Sequence, residues 1–314
     1  MRTLFVMDPL HKIQVAGDST YVVMRECCDR GYQVFMCEPT DLFAEGGRAH
    51  ATVTAVNVTA DAPYFVVGGQ QELCLDTIQV VWMRKDPPFD MAYIFCTYLL
   101  DMTDGLVVND PIGLKVFNEK LWAMRFVDLH PPTLLSQDMD RLQAFVEAQP
   151  GRAVLKPWDG NGGRGVLVTQ AGDRNLRSML ELLTVEGKEF VLAQPYLDKV
   201  DEGDKRILLF DGEPVGAMLR IPTAGDFRGN MHVGATVQPC DLSQRDQEIC
   251  DTLGPHLRKH GQTFVGIDVI DGWLTEINIT SPTGIREINV MLGKKLEADL
   301  VDRVMARARA KERT

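Results

Sequence analysis

The segment at residues 264–278, which reads F-V-G-I-D-V-I-D-G-W-L-T-E-I-N, constrains the fold of this chain most strongly. Two apolar, strand-like runs meet there at Asp271-Gly272. They nevertheless carry Asp268, Glu276 and Asn278 where a core strand usually has Val, Ile or Leu. Carboxylates are rarely buried without a cation or a hydrogen-bonding partner. Glu276 and Asn278 are two residues apart, so they point to the same face of a strand. Three hard oxygen ligands on one patch predict a magnesium site that faces the phosphates of a nucleotide.

This prediction depends on the register of the hairpin. With a two-residue turn at Asp271-Gly272, Asp268 pairs with Thr275. Glu276 then lies on the opposite face of the sheet. A three-residue loop instead pairs Asp268 directly with Glu276. The metal site therefore requires the longer loop or a β-bulge. The alternative is an ordinary surface hairpin whose polar side chains face solvent.

Composition limits the classes of protein to consider. A chain of 314 residues with 45% hydrophobic content has room for two or three domains with a substantial core. We expect no membrane span, because no apolar run approaches about 20 residues. The seven cysteines form no C-x-x-C pair, which suits a reducing cytoplasm better than a disulfide framework. The net charge of −11 argues against a nucleic-acid partner.

The N-terminal part alternates strand and helix patterns. Strands are predicted at 3–7, 33–37 and 79–83, and a helix at 19–30 connects the first two strands. This β-α-β order predicts a parallel sheet. A hairpin at 51–58 and 63–67 is an addition to it, and a strand at 106–109 precedes a helical run at 111–126.

Two further units follow. The second has strands at 153–156, 166–169 and 190–194 and a helix at 175–184. The third is mostly strands, with helices at 244–260 and 294–309. The pattern predicts an α/β (α+β) protein with three domains. They are an N-terminal parallel-sheet domain at 1–120, a central glycine-loop domain at 121–198 and a C-terminal metal-binding domain at 199–314.

A glycine-rich segment at 160–165, G-N-G-G-R-G, matches the dinucleotide fingerprint G-x-G-x-x-G. That fingerprint must open a helix, whereas this one precedes the β-branched run 166–169, so the loop joins two antiparallel strands. Glycines allow backbone amides to approach phosphates closely, and Lys156 just upstream suits the α- and β-phosphates of a triphosphate. P-loop and protein-kinase motifs are missing from the sequence. The alternative is a flexible surface hairpin.

The order of these motifs carries a family resemblance. Lys120, Lys156 with its glycine loop, Q-P-Y-L at 194–197, Asp268 and E-I-N at 276–278 follow one another as in an ATP-grasp ligase. Longer segments resemble the bacterial, prokaryotic-type glutathione synthetases. They are M-R-K-D-P-P-F-D at 83–90, N-E-K-L at 118–121, G-D-K-R at 203–206, R-I-P at 220–222, R-G-N at 228–230 and I-R-E at 285–287. The resemblance covers essentially the whole chain.

The resemblance implies an ATP-grasp fold and an ATP-dependent ligation of γ-L-glutamyl-L-cysteine to glycine. The reaction would pass through an acyl phosphate and give glutathione, ADP and phosphate. ATP would be the co-substrate, and two Mg²⁺ (or Mn²⁺) ions would neutralise charge as the γ-phosphoryl group moves. The family also implies a cytoplasmic homo-oligomer, either a tetramer or a dimer.

The same resemblance implies roles for individual residues. The metal ligands would be Asp268, Glu276 and Asn278. The nucleotide would be held by Lys120, Lys156, Gly160, Gly162 and Gly163, by the backbone of Gln194, Pro195, Tyr196 and Leu197 at the adenine, and by Asp204 at the ribose. Arg206, Arg220 and Arg228 would stabilise transition-state charge, and Arg84, Ser281 and Arg286 would bind the peptide substrate. Residues 221–230 have the glycines and polarity of a lid that brings Arg228 to the site.

Alternatives remain at this stage. Another ATP-grasp enzyme joining a different carboxylate to a different amine would share these motifs. A non-catalytic ATP-binding module would share the fold but lose a metal ligand or phosphate lysine, and none is lost here. Each arginine has a structural ion pair as its alternative role. His256 and His260 have helical spacing for zinc, but the sequence offers no third ligand at suitable spacing and a solvated face is the simpler reading.

Overall fold

The computed structural model describes residues 1–160, 162–223 and 236–311. Within these ranges the strands are β1 (Arg2–Met7), β2 (Gln33–Cys37), β3 (Leu42–Glu45), β4 (Arg48–Val58), β5 (Phe65–Cys74), β6 (Val80–Arg84), β7 (Leu106–Val108), β8 (Leu134–Ser136), β9 (Arg152–Pro157), β10 (Leu167–Gln170), β11 (Val191–Pro195), β12 (Asp204–Phe210), β13 (Glu213–Ile221), β14 (Thr236–Pro239), β15 (Phe264–Ile270) and β16 (Trp273–Asn278). The α-helices are α1 (Ser19–Asp29), α2 (Met91–Leu100), α3 (Pro111–Val116), α4 (Met139–Glu147), α5 (Leu176–Leu183), α6 (Gln244–Lys259), α7 (Ile285–Leu292) and α8 (Leu296–Lys311). No helix in the described ranges is long and apolar enough to cross a membrane.

The first sheet has the strand order β3-β4-β2-β1-β6-β7, with β5 paired to β4. Neighbours β2, β1, β6 and β7 are parallel, as the β-α-β pattern predicts. Central strand β1 is buried on both faces, which explains its continuous apolar run. Phe5 stacks on Trp82 of β6 with ring centroids 5.6 Å apart. The predicted hairpin is present as β4 and β5, although both strands are longer than expected.

The predicted helical run at 111–126 is wrong beyond Val116. Helix α3 ends there and only a short 3₁₀ turn, Ala123–Arg125, follows. The side chain of Asn118 accepts hydrogen bonds from the backbone N–H groups of Lys120 (3.0 Å) and Leu121 (3.1 Å). An asparagine that bonds to the backbone in this way replaces helical bonds with a turn. Residues 118–121 therefore form a turn that faces the C-terminal sheet.

The second sheet has the order β10-β9-β11-β8 and is antiparallel throughout. Helices α4 and α5 pack on one face, where Leu142, Leu155 and Leu180 belong to a separate small core. Because side chains alternate along a strand, Lys156 on β9 and Gln194 on β11 point to the opposite face. That face is the one without the two helices.

The third sheet has the order β14-β13-β12-β15-β16 and is antiparallel. Its apolar residues share cores with the first sheet, so the N- and C-terminal parts pack together. Helix α8 lies against α1, where Arg30 bonds to Asp302 (2.5 Å) and to the carbonyl of Ala298 (3.0 Å). Helix α6 begins with a capping box in which Ser243 and Asp246 satisfy each other's backbone N–H groups.

Strand β16 lies at the edge of the third sheet, and residues 119–129 complete its outer side. The N–H of Leu274 donates to the carbonyl of Leu129 (2.8 Å), and the N–H of Ile277 donates to the carbonyl of Glu119 (2.9 Å). Bonds of this kind cover a sheet edge that would otherwise be unpaired. They also bring Lys120 next to the polar face of the hairpin.

Candidate active site

The hairpin of β15 and β16 has the register that the metal hypothesis requires. Asp271 (φ 51°) and Gly272 (φ 74°) both have positive φ, as a tight two-residue hairpin turn demands. A β-bulge then shifts the pairing between Asp268 and Val269, so that Asp268 lies opposite Glu276. Of the two possibilities, the bulge is the one realised. Thr275 is the extra residue of the bulge, since Glu276 pairs with Asp268 and Leu274 pairs with Val269.

Asp268 is the centre of an ionic cluster that spans three adjacent strands. In the sheet register Asp268 on β15 lies opposite Arg206 on β12, and Asp204 on β12 lies opposite Arg220 on β13. Arg206 binds the Asp268 carboxylate with two atoms, Nε at 2.5 Å and Nη2 at 2.9 Å. The Nη2 of Arg220 lies 3.0 Å from the same carboxylate. Gly266 makes room, because a Cβ there would meet Arg206 Nη1 at 3.2 Å.

The charges in this cluster shift the acidity of its two aspartates in opposite directions. Burial opposes ionisation of Asp268, but Arg206 and Arg220 outweigh it and lower the pKa to about 2. For Asp204, burial is the larger effect and raises the pKa to about 6, against the attraction of Arg220. One oxygen of Asp204 bonds to Arg220, and its Oδ1 is buried without a hydrogen-bond partner in the described chain. Asp268 is thus firmly ionised at neutral pH, and Asp204 less so.

Lys120 connects the hairpin to the glycine loop. Its Nζ lies 3.4 Å from Glu276 Oε1 and donates a hydrogen bond to the carbonyl of Gly160. Asn278 Nδ2 donates to Asp268 Oδ2 at 3.2 Å, so the three predicted metal ligands lie together. They comprise two carboxylates and an amide. Within the described ranges no group of three or more His, Cys, Asp or Glu residues is arranged to hold a metal.

Lys156 differs from Lys120 in its surroundings. It lies half-buried on the face of β9 that points away from α4 and α5, and no hydrogen bond or ion pair links it to any part of the chain that the structure describes. Burial lowers its pKa, with Glu276 the leading attractive charge and Lys120 a repulsive one. Beyond it, Gly162 (φ 63°) and Gly163 (φ 73°) adopt the left-handed conformation that glycine permits.

The segment 194–197 is only partly available for backbone recognition of a base. The N–H of Tyr196 donates to the carbonyl of Arg152 (2.9 Å), and the guanidinium of Arg152 lies 3.9 Å from the Tyr196 ring centroid. Pro195 has no N–H. The N–H of Leu197 has no partner among the described residues, so it is free to meet a ligand.

The side chain of Gln194 belongs to a buried polar network instead. Its Nε2 lies 2.8 Å from the Thr133 hydroxyl and 3.4 Å from His130 Nε2. The other ring nitrogen of His130 lies 2.9 Å from the Pro131 carbonyl. Burial, with a smaller repulsion from Lys156, lowers the pKa of His130 to about 4. The ring is therefore neutral at physiological pH.

The predicted substrate residues lie where the N-terminal part meets residues 281–286. Arg84 is buried and donates to Thr20 Oγ1 (3.0 Å) and to the carbonyl of Pro282 (2.9 Å). It forms no ion pair among the described residues, and burial lowers its pKa. The hydroxyl of Ser281 lies 3.5 Å from the Arg84 carbonyl. Arg286 donates to the carbonyl of Val15 and lies over the Tyr21 ring.

Glu119 (half-buried) and His130 (buried) are polar residues next to predicted site residues, and neither was identified as a candidate from the sequence. Glu119 accepts a hydrogen bond from Thr280 (2.6 Å), and burial raises its pKa. Glu119 stands between Asn118 and Lys120 in the N-E-K-L segment, and that segment was the sequence signal for it. His130 is the second such residue. Arg228 and most of the predicted lid lie outside the described residues.

His256 and His260 do not form a metal site within the described chain. The ring of His256 meets Phe126 edge-on at 5.2 Å, and His260 meets Phe117 at 4.8 Å. Aromatic packing of this kind accounts for both residues. His256 is exposed, as the predicted solvated face requires, whereas His260 is half-buried.

Comparison with known proteins adds independent findings. The family described as "Prokaryotic glutathione synthetase, N-terminal domain" matches residues 1–115, and "Prokaryotic glutathione synthetase, ATP-grasp domain" matches residues 119–293. The glutathione synthetase of Thermosynechococcus vestitus is 43% identical over 309 residues, covering 94% of this chain and 97% of the relative. That of Pseudomonas syringae pv. tomato is 43% identical over 317 residues, covering 99% of each.

Solved structures support the fold. D-cycloserine synthetase DcsG is similar with a TM-score of 0.68 at 14% identity, covering 98% of this chain and 99% of that one. The ATP-grasp ligase PsnB, complexed with minimal precursor, Mg and ADP, gives a TM-score of 0.60 at 17% identity, covering 98% of each chain. The three sheets described above therefore form an ATP-grasp fold.

Proposed function

Because the chain belongs to the prokaryotic glutathione synthetase family and is an ATP-dependent ligase that joins γ-glutamylcysteine to glycine, we propose a place where it binds and cleaves ATP. That place is the cluster of Asp268, Glu276, Asn278, Lys120 and Lys156. The observation that carries the proposal is the bulged register, which sets Asp268 opposite Glu276 with Lys120 between the hairpin and the glycine loop. Asp268 and Glu276 lie on neighbouring strands, while Lys120 reaches Glu276 from the segment along the outer edge of β16.

ATP and a divalent metal are the cofactors of this fold family. The donor set fits Mg²⁺ or Mn²⁺, because it offers hard oxygens from two carboxylates and one amide. Asp268 is kept ionised by Arg206 and Arg220, and both of its oxygens already contact guanidinium groups, so a metal ion would share this carboxylate with the arginines. Glu276 and Asn278 are half-buried and reachable. We propose that these three residues hold two ions, which would neutralise charge on the phosphates when bound.

The lysines and glycines are proposed to hold the triphosphate. Lys156 is half-buried and unpaired in the described chain, so an anion next to it would restore the interaction that burial removes. Gly160, Gly162 and Gly163 lie in the loop that Lys120 contacts, where backbone amides can approach phosphate oxygens. The free N–H of Leu197 is the proposed contact to adenine, beside Gln194, Pro195 and Tyr196. Asp204 remains the proposed ribose contact through its unpartnered Oδ1.

The arginines are proposed to act in two groups. Arg206 and Arg220 hold Asp268 in its ionised form, and through it they shape the electrostatic field at the transferred phosphoryl group. Arg228 remains a predicted lid residue. Arg84, with Ser281 and Arg286, is the proposed site for the substrate carboxylates, because Arg84 carries a buried charge without a carboxylate partner in the described chain.

These residues bring the reacting groups together, and no side-chain nucleophile is required. The cysteinyl carboxylate of γ-glutamylcysteine attacks the γ-phosphorus of ATP, which releases ADP and forms an acyl phosphate. The amine of glycine then attacks the acyl carbon, the carbon–nitrogen bond forms, and phosphate leaves. Positioning and electrostatic stabilisation supply most of the rate enhancement in such a site.

The direct test measures phosphate release with ATP, Mg²⁺, γ-glutamylcysteine and glycine. We expect release to depend on both γ-glutamylcysteine and glycine, and mass spectrometry should detect glutathione. A matched reaction without glycine controls for ATP hydrolysis, and one with alanine in place of glycine tests for a different amine. Phosphate release no faster than in the reaction without glycine would contradict the substrate assignment.

We also propose the domain boundaries, the location in the cell and the assembly of this protein. The domain divisions at residues 120 and 198 are supported by the three sheets, each of which lies within one of the segments. A cytoplasmic location is supported by seven free cysteines. A homo-oligomer, either a tetramer or a dimer, is the assembly we propose.

A further inference from the structure

The N-terminal sheet has a topological switch point between β1 and β6. Strand β1 leads through α1 to β2, and β6 leads through α2 to β7 on the other side. Helices α1 and α2 belong to different hydrophobic cores, so they cover opposite faces of the sheet. In such sheets a ligand binds beyond the carboxyl ends of the two strands at the switch point. Arg84 ends β6 there, where the proposed substrate site lies.

Glu287 follows Arg286 on the first turn of α7 and has an unused carboxylate oxygen. Its Oε2 is buried without a hydrogen-bond partner among the described residues. Its Oε1 lies against Gly17, where a Cβ would come within 3.0 Å of it. The N–H of Ile285 donates to Ser19 Oγ (3.2 Å), which holds the start of α7 against the start of α1. Buried polar atoms without a partner are rare, so Oε2 is available to a hydrogen-bond donor on a ligand.

The charges nearby do not neutralise Glu287. Arg286 donates to the carbonyl of Val15, and Arg84 donates to a hydroxyl and a carbonyl. In the described chain neither arginine forms an ion pair with Glu287. Burial raises the pKa of Glu287, and the neighbouring carboxylate of Asp18 adds to that rise. Two cations and a carboxylate therefore share one site without being paired to one another.

We propose that Glu287 binds the α-ammonium group of the γ-glutamyl residue of the peptide substrate, while the arginines of the site hold its α-carboxylate. The proposal rests on the proposed substrate site at Arg84, Ser281 and Arg286. The head of an amino acid carries both charges on one carbon, so it is matched by a carboxylate and a guanidinium in the same site. A charge-assisted bond from the ammonium would also satisfy the buried Oε2.

Among the nitrogens of the two amino-acid substrates, the γ-glutamyl amine is the one that keeps its charge throughout the reaction. The cysteinyl nitrogen lies in an amide bond, and the glycine amine must be neutral to attack. The surroundings of Glu287 agree with this choice. The charges that act most on Glu287 are Arg286 and Asp18, whereas Glu119 is acted on by Glu276 of the metal hairpin. Glu287 thus belongs to the end of the site formed by the N-terminal part of the chain.

The first test needs no variant and uses the full-length enzyme with ATP, Mg²⁺ and glycine. N-Glutarylcysteine differs from γ-glutamylcysteine only by lacking the α-amino group. We expect its kcat/KM to be about 10- to 100-fold lower, which is the usual effect of losing a hydrogen bond to a charged group. Equal use of the two substrates by the wild type would overturn the proposal.

The second test is Glu287→Gln, with circular dichroism to check folding. It should lower kcat/KM for γ-glutamylcysteine by about 10- to 100-fold. For N-glutarylcysteine kcat/KM should stay within about twofold of the wild type, because that substrate has no ammonium to lose a partner. The KM for ATP should not change. Equal losses for both substrates would mean that Glu287 has only a structural role, and the proposal would be wrong.

The matched control is Glu297→Gln, which removes a buried carboxylate from the first turn of the neighbouring helix α8. It should keep the wild-type preference for γ-glutamylcysteine over N-glutarylcysteine. Arg84→Met separates this proposal from the one on which it rests, and it should lower kcat/KM for γ-glutamylcysteine at least about tenfold. No loss in Arg84→Met would refute the substrate site and the ammonium contact together. A loss in Arg84→Met with equal losses for both substrates in Glu287→Gln would refute the ammonium contact alone.

Discussion

The candidate site has two halves that are built in opposite ways. One, the ionic half, belongs to the C-terminal sheet and consists of Asp204, Asp268 and Glu276 with the cations Arg206, Arg220 and Lys120. The other, the neutral half, belongs to the central sheet and the segment before it. It consists of Lys156, which is unpaired in the described chain, and of the uncharged network of His130, Thr133 and Gln194.

The difference shows which interactions are complete before a ligand arrives. In the ionic half each carboxylate already has a cation, so its geometry is set by pairs formed within the protein. In the neutral half a lysine remains without its anion, and the histidine beside it stays uncharged. In the neutral half a bound nucleotide would supply the missing partner of Lys156, whereas in the ionic half a bound metal ion would share carboxylates that are already paired. Four predictions test this contrast.

The largest effect is expected for Glu276→Gln. The substitution keeps the shape of the side chain but removes a proposed metal ligand, so turnover should fall by at least about 10³-fold, or about 4 kcal/mol. Mutation of a group that only supports a metal ligand lowers metal affinity or activity about 10- to 100-fold, and loss of a direct ligand should lower activity more. The midpoint of urea unfolding should stay close to the wild type. Turnover near the wild-type value would rule out Glu276 as a ligand.

Arg206→Met tests whether the ionic half is held together by its own charges. Asp268 is only 5% exposed and would keep Arg220 as its remaining cation. Breaking a buried ion pair by removing one partner costs about 3–5 kcal/mol, and we expect the lower part of that range in the free energy of unfolding. Urea denaturation measures it.

The control for that variant is Arg177→Met. Arg177 pairs with Asp140 at 2.7 Å, but both side chains are largely exposed. A surface pair of this kind contributes less than about 1 kcal/mol. Equal destabilisation by the two substitutions would show that Asp268 does not depend on Arg206.

Acid should act first on the neutral half, through His130. The pKa of His130 is about 4 in the folded chain and about 6.5 in the unfolded chain. Between these two pH values the ring is protonated in the unfolded chain but neutral in the folded chain. The contribution of the neutral ring to the free energy of unfolding is fully present above pH 6.5 and is lost as the pH falls toward 4. At pH 5 the expected loss relative to pH 7 is about 2 kcal/mol. In the ionic half, Asp268 with its pKa near 2 should lose stability only below about pH 4.

The measurement is the difference in unfolding free energy between the wild type and His130→Gln at each pH. The difference is needed because Asp204 also titrates in this range, with a pKa of about 6 in the folded chain. Its contribution to the free energy of unfolding has the opposite pH dependence, since it is present at low pH and is lost as the pH rises toward 6. Subtracting the variant cancels that contribution. A difference that does not change between pH 7 and pH 5 would contradict a buried neutral histidine.

The parallel sheet and the hairpin followed from the sequence because their signals are local. The β-α-β pattern, the glycine loop and the Asp-Gly turn each occupy a short stretch of chain. The bulge was one of two possibilities that the sequence left open. Helices α2, α4 and α7 were missed, and α2 has no helical period to detect, since its ten residues are almost all apolar.

The partners of the arginines depend on long-range strand pairing and were not predictable. Arg206 meets Asp268 across 62 positions of sequence because β12 lies beside β15 in the sheet. Arg220 meets Asp204 because β13 lies on the other side of β12. Periodicity assigns a residue to a face, but it does not say which strand is the neighbour. For the same reason the bond from Thr280 to Glu119 could not be foreseen.

The smallest change in stability is expected for Lys156→Met, and it is the sharpest test of the neutral half. The half-buried ammonium of Lys156 loses hydration on folding and gains no ion pair in return within the described chain. Its removal should therefore leave the free energy of unfolding unchanged or raise it by up to about 1 kcal/mol. The affinity for ATP should nevertheless fall about tenfold, because a charge-assisted contact to phosphate is lost. Titration calorimetry measures the affinity for ATP, and urea denaturation measures the free energy of unfolding. Lys294→Met, which removes the charge of an exposed lysine, is the control. A loss of stability above about 2 kcal/mol with unchanged ATP affinity would mean that Lys156 has a structural role, and the contrast between the two halves would then be wrong.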